Sequence, residues 1–186
     1  MNTRLYHLLT QLLSRPTAPF REQQVMHYAQ SVLQRARIPH FSDPAGNLVI
    51  GCASPASYRA LLRRPSKEPV RLFIAHMDHP GFHGVRWLSS RRLLVKWHGG
   101  SPLKHLRGSR VWLANDKGIV GEGRVARATL LPSGHAIDTA EILLEQPLPA
   151  VQAATSLYGG FRFRAPVWRA GKRIYTQVAD DLVGVF

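Results

Sequence analysis

The chain has 186 residues, 45% of them hydrophobic, which is enough for a packed core in one or two domains and outside the composition of a disordered chain. Its single cysteine, Cys52, excludes an intrachain disulfide and a cysteine-based zinc cluster. The formal charge of +14 admits nucleic acid, an anionic membrane surface or acidic substrates as partners.

The arginines that carry this charge are scattered, among them Arg59, Arg63, Arg64, Arg91, Arg92, Arg107, Arg110, Arg124, Arg127, Arg162 and Arg164. There is no dense block and no basic helix, so the charge reads as a solvated face and argues against nucleic acid as the partner. An acidic remainder missing from the chain would produce the same imbalance. Apolar runs fall short of the ~20 residues that span a bilayer, which argues against a membrane partner. The N-terminus lacks a basic region followed by an apolar one, so a cytoplasmic location is expected.

Leu5, Leu8, Leu9, Leu12 and Leu13 form one face of an amphipathic helix, capped by Asn2 or Thr3 and stopped by Pro16 and Pro19. Core packing is the expected fate of that leucine stripe. A second helix is expected over Arg21–Arg35, with Val25, Tyr28 or Ala29, Val32 and Leu33 inward. Pro44–Asn47 makes a turn and Leu48–Cys52 a short strand. Ala53–Pro69 reads as a Ser-, Pro- and Arg-rich loop with one helical turn at Tyr58–Arg63.

Val70–Ala75 is an almost unbroken β-prone apolar run and predicts a buried strand. It leads into His76-Met77-Asp78. A polar triplet there sits at the carboxyl edge of a sheet, where open α/β sheets place ligands. Residues one apart share a face of extended chain, so His76 and Asp78 point the same way. Asp78 can then hold the second ring nitrogen of His76 while the first ligates a metal, or ligate directly.

After Phe82 the texture changes to short strands at Val85–Leu88, Arg92–Trp97, Arg110–Leu113, Gly118–Arg127, Ala140–Leu144 and Arg162–Val167. Turn signals separate them, Gly99-Gly100 and Gly159-Gly160 included. This predicts a small all-β domain inserted over residues 84–170. Trp87, Trp97, Trp112 and Trp168 all fall within it; stacked bases would use such residues, but a small β core or an oligomer interface uses them more often. The run Arg173–Ala179 predicts another strand, ending in Asp180-Asp181-Leu182-Val183-Gly184.

A His-x-Asp at one strand end and an Asp-Asp-x-x-Gly at another resemble the constellation of the dinuclear zinc exopeptidases. The chain is most similar to the glutamyl or deblocking aminopeptidases that form tetrahedral (TET-type) dodecamers. The resemblance extends through Ser14–Glu22, Asp43-Pro-Ala-Gly-Asn47-Leu-Val, Gly81-Phe82, Gly99-Gly100 and Leu106-Arg-Gly-Ser-Arg110-Val, in the family's order. It implies an incomplete zinc-exopeptidase-like α/β domain, residues 1–83 plus 171–186, interrupted by a β-barrel-like insert over 84–170. It also implies metal-dependent removal of N-terminal residues from peptides, two divalent ions (zinc or cobalt) in the complete enzyme, and a homo-oligomer. By resemblance, His76 ligates one metal, Asp78 takes the catalytic role of orienting that imidazole, and Asp180 bridges both metals. The Asp180–Asp181 peptide is then expected to be cis.

The family's Glu-Glu pair, a further carboxylate and a distal histidine all lie downstream of the Asp-Asp motif, whereas this chain ends at Phe186. The resemblance is therefore to an N-terminal half, inactive as given. His79 stands where the family usually has an acidic residue. His79, His83, His98, His105 and His135 have no acidic partner at metal-ligand spacing and read as loop residues. Asp116, Asp138, Glu141 and Glu145 show no pairing for acid–base work. The competing readings are a related zinc carboxypeptidase or deacylase, and a non-catalytic binding or assembly module that uses the β insert and the basic surface.

Overall fold

A computed structural model describes residues 3–65, 68–148 and 152–186. Asn2 and residues 149–151 of the expected insert lie outside them.

Helices α1 (Thr3–Leu13) and α2 (Gln23–Arg35) form where leucine and valine recur at helical spacing, and both bury that stripe. The last helix, α4 (Ala179–Val185), closes against them. Leu9, Leu12, Leu13, Val25, Val178 and Leu182 make one core, so the two ends of the chain pack together. Strands β1 (His40–Ser42) and β2 (Leu48–Ile50) form a hairpin. Its turn is pinned by the Asp43 carboxylate, which accepts from the Asn47 backbone N–H at 2.8 Å and its side-chain amide at 2.9 Å. These bonds hold the Asp43 carboxyl below the usual carboxylate range.

The segment read as a loop with one helical turn contains a full helix, α3 (Pro55–Arg63). Ser54 caps it, accepting from the Ser57 N–H at 3.1 Å, and proline occupies its first turn, where no donor is lost. No residue of α3 is buried.

The largest structure is a closed barrel with neighbour order β3-β4-β7-β6-β5-β8. Its strands are β3 (Gly81–Ser89), β4 (Arg92–His98), β5 (Arg110–Asn115), β6 (Gly118–Leu130), β7 (Ile137–Leu144) and β8 (Tyr158–Phe161). Alternation supplies the interior: Leu93, Val95 and Trp97 from β4 meet Val111, Leu113, Ile142, Leu144 and Phe82. Strand β5 is buried on both faces, because Trp112 and Ala114 turn outward onto Ala18 and Tyr158.

Strand β8 corrects the expected turn at Gly159-Gly160. A Cβ on Gly159 would lie 2.2 Å from the Trp112 carbonyl oxygen and 2.5 Å from the Phe82 ring, so only glycine lets β8 close the barrel between β3 and β5. The strand expected at Arg162–Val167 is absent. Instead β9 (Val167–Ala170) pairs outside the barrel with β10 (Arg173–Thr176), and Trp168 stacks on Tyr175 at 5.2 Å.

The buried strand expected at Val70–Ala75 does not form. No strand pairs with it among the described residues, and Leu72, Phe73 and Ile74 are 65%, 90% and 85% exposed. An extended apolar run becomes a buried strand only where a neighbour satisfies its backbone and covers its faces, and the described chain supplies neither. None of the helices among the described residues is long and apolar enough to cross a membrane.

Candidate metal centre

The segment after Ala75 is fixed from below. The Met77 side chain packs on the α1–α2–α4 core, and its carbonyl accepts from the Thr17 hydroxyl at 2.8 Å. Thr17 is 1% exposed. With Met77 turned inward, His76 and Asp78 face outward together, as alternation on extended chain requires.

His76 Nδ1 lies 3.1 Å from Asp78 Oδ1 and 3.1 Å from the Asp78 carbonyl oxygen. Both partners only accept, so these contacts favour the tautomer with its proton on Nδ1 and a lone pair on Nε2. That lone pair is on the side of Asp180, whose Oδ1 is 3.7 Å from Nε2. Two donors that each sit ~2.0–2.2 Å from one ion are at most about 4 Å apart, so this separation fits a shared divalent ion.

Asp180 is held by its neighbours. It lies between Val178 and Leu182, both buried in the helical core. The chain departs from helical geometry at Asp180 and Asp181, and the peptide joining them is cis. The glycine of the Asp-Asp-x-x-Gly motif has a steric cause. A Cβ at Gly184 would lie 3.1 Å from the Ala75 Cβ and 2.5 Å from Asp181 Oδ1, so a larger residue would crowd the His76 segment and turn the Asp181 side chain away.

His79, read as a loop residue without an acidic partner, belongs to this cluster: its Nδ1 is 3.4 Å from the Asp180 carbonyl oxygen. Burial pushes its imidazole below the ordinary histidine value. Its place directly after His-x-Asp was the available signal. His79 does lie in a loop, whereas His83 and His98 do not. They lie on β3 and β4 with ring centroids 4.7 Å apart, and His83 Nε2 is 2.7 Å from the Pro19 carbonyl oxygen. His105 and His135 do lie in loops. Thr17 was missed because one hydroxyl in a proline-rich loop carries no periodic signal.

Among the described residues no cluster of three or more histidine, cysteine, aspartate or glutamate side chains is arranged to hold a metal. The donor set is one imidazole, its Nδ1 against Asp78, and one exposed carboxylate. Beside it opens a cavity of about 290 Å³, walled by Pro80, Pro102, Trp112, Phe161 and Phe163 and bordered by His79. Ser101 also lines it, and its buried hydroxyl has no hydrogen-bond partner among the described residues.

No family model matches the chain, and no curated protein matches it. Solved structures do. The PhTET1-12s dodecamer superposes with a TM-score of 0.65 at 18% identity, over 100% of this chain and 53% of its own. The Pyrococcus horikoshii TET1 peptidase, which assembles into a tetrahedron or an octahedral shell, gives 0.63 at 17%, over 97% and 53%. An aminopeptidase from the archaeon Desulfurococcus kamchatkensis gives 0.61 at 19%, over 96% and 48%. The shared property is the fold, and the chain spans about half the length of these structures.

Proposed function

We propose that the chain forms part of a metal-dependent aminopeptidase of the TET type and supplies one side of its metal centre. The observation that supports this most directly is His76 Nε2 aimed at Asp180 Oδ1 across 3.7 Å, with Asp78 fixing the imidazole. In this reading His76 and Asp180 would hold zinc or cobalt, and the Asp180 carboxylate would be open to a second ion. Two such ions, when bound, supply Lewis acidity and lower the pKa of a bound water. Asp78 keeps the proton on Nδ1, so that Nε2 remains a ligand. The apolar cavity beside His79 receives part of the peptide substrate. The barrel is an inserted domain, residues 84–170 in the sequence reading, and homo-oligomerisation matches the assemblies of the structural neighbours.

Two protein ligands are fewer than the three or four usual for zinc, and among the described residues no further ligand cluster accompanies them. The chain alone is therefore expected to bind metal weakly and to turn over aminoacyl-anilides poorly or not at all. The test is cobalt and zinc titration of the 186-residue chain beside His76→Ala and Asp180→Ala. Binding lost in both variants supports the reading. Binding indifferent to both would falsify it.

A further inference from the structure

A second cavity, of about 270 Å³, lies between the loop that joins β4 to β5 and the end of β8. Leu106, Phe161 and Phe163 give it an apolar lining, and Lys104, Arg110 and Arg162 line it with positive charge. The pairing of β5 with β8 sets the two arginines side by side: the Arg162 backbone N–H donates to the Arg110 carbonyl at 2.8 Å. Both guanidinium groups donate to one oxygen, Oε2 of Glu122 on β6. Among the described residues no other carboxylate pairs with either arginine, and Lys104 has no ion-pair partner. Three permanent positive charges therefore meet one negative charge, and most of the guanidinium N–H donors have no acceptor among the described residues. The loop is tied to its surroundings. Its Gly108 N–H donates to the Val125 carbonyl at 2.8 Å, and its Ser109 hydroxyl to the His105 carbonyl at 2.8 Å. A preformed recess loses less order on binding than a loose one.

We infer that this cavity is a binding site for a small organic anion, a carboxylate or a phosphate carried on an apolar or aromatic group. The oxyanion meets Lys104, Arg110 and Arg162, where adjacent guanidinium forks suit either carboxylate or phosphate oxygens. The apolar group meets Leu106, Phe161 and Phe163. The excess positive charge is what selects an anion: like charges held together raise the local potential, and a bound anion relieves it. The aromatic lining is what selects an organic one, since a bare inorganic ion would leave it uncovered. At about 270 Å³ the cavity takes one small molecule. Pro102, Phe161 and Phe163 also wall the cavity beside the metal centre, so the two recesses adjoin through shared residues. The inference stands apart from the peptidase reading, because it requires neither metal nor turnover.

The probes are phenyl phosphate, phenylacetate, the neutral phenylacetamide and inorganic phosphate, each titrated into the full 186-residue chain. Calorimetry gives the affinity, and backbone proton–nitrogen NMR gives the place. The phosphate and carboxylate arms tell the two oxyanions apart. The expected result is that at least one aromatic anion binds roughly tenfold or more tightly than the amide, and more tightly than inorganic phosphate. It should shift amides in residues 104–110 and 161–163 and weaken as chloride is raised. Lys104 and Arg110 are exposed, so Lys104→Gln and Arg110→Gln should melt near the wild type. Together they should weaken the anion by roughly tenfold, whereas Lys104→Arg should keep it. Three results would overturn the proposal. One is the amide binding as tightly as the anions. Another is no binding of either aromatic anion at about 10 mM. The third is anion affinity unmoved in the double variant, which would assign it to the basic surface elsewhere.

Discussion

Thr17→Val tests how the fold positions the metal ligands. The substitution nearly preserves shape but removes the hydroxyl that donates to the Met77 carbonyl at 2.8 Å, in a site 1% exposed. The carbonyl is left without this partner, at a cost of about 1–3 kcal/mol. That bond spans the only residue between His76 and Asp78, so its loss loosens the pair. If the whole cost appears as lost order of the ligand segment, metal affinity falls roughly 5- to 140-fold. The assay is zinc affinity by competition with a chromophoric chelator, beside urea unfolding of the same samples. Thr17→Ser keeps the donor and should stay near the wild type. Thr17→Val with wild-type affinity and an unchanged urea midpoint would refute the reasoning.

Gly159→Ala places a methyl 2.2 Å from the Trp112 carbonyl oxygen, so it should lower stability by at least the ~1–3 kcal/mol of ordinary overpacking, read as a lower urea midpoint. Asp78→Ala frees the His76 tautomer and should weaken zinc binding by roughly 10–100-fold without moving the melting temperature much. Burial lowers the pKa of His83 and His98 in the fold, with Arg21 adding to the effect at His83, and His83 and then Lys96 at His98. The unfolded chain therefore binds more protons, so stability should be constant above about pH 6.5 and fall as pH drops below it. Replacing both with glutamine should reduce that decline, leaving the share due to His79, checked by urea midpoints at pH 7.5 and pH 5.

Much of this structure could be read directly. The leucine spacing of α1 and the alternation of β4 record burial that happens within the chain. The approach of His76 to Asp180 was legible from motif order, although the strand expected to carry His76 does not form. Val70–Ala75 misled because hydrophobicity reports what a segment requires, not whether a neighbour is present. Gly159-Gly160 misled in the opposite way: glycine usually punctuates turns, but at Gly159 it is the residue small enough for a crowded strand. Ser54-Pro55 was a helix start obscured by loop-like composition. His83 and His98 look like loop histidines until pairing sets them side by side on neighbouring strands.

The central claim is that His76 and Asp180 share a divalent ion. Zinc titration followed by long-range proton–nitrogen NMR of the histidine rings tests it most directly. The account predicts that Nε2 of His76 shifts to a metal-bound value while Nδ1 keeps its proton, and that Asp180→Ala abolishes the change. Zinc that shifts other rings and leaves His76 as it was, or that binds His76 equally well in Asp180→Ala, would contradict it.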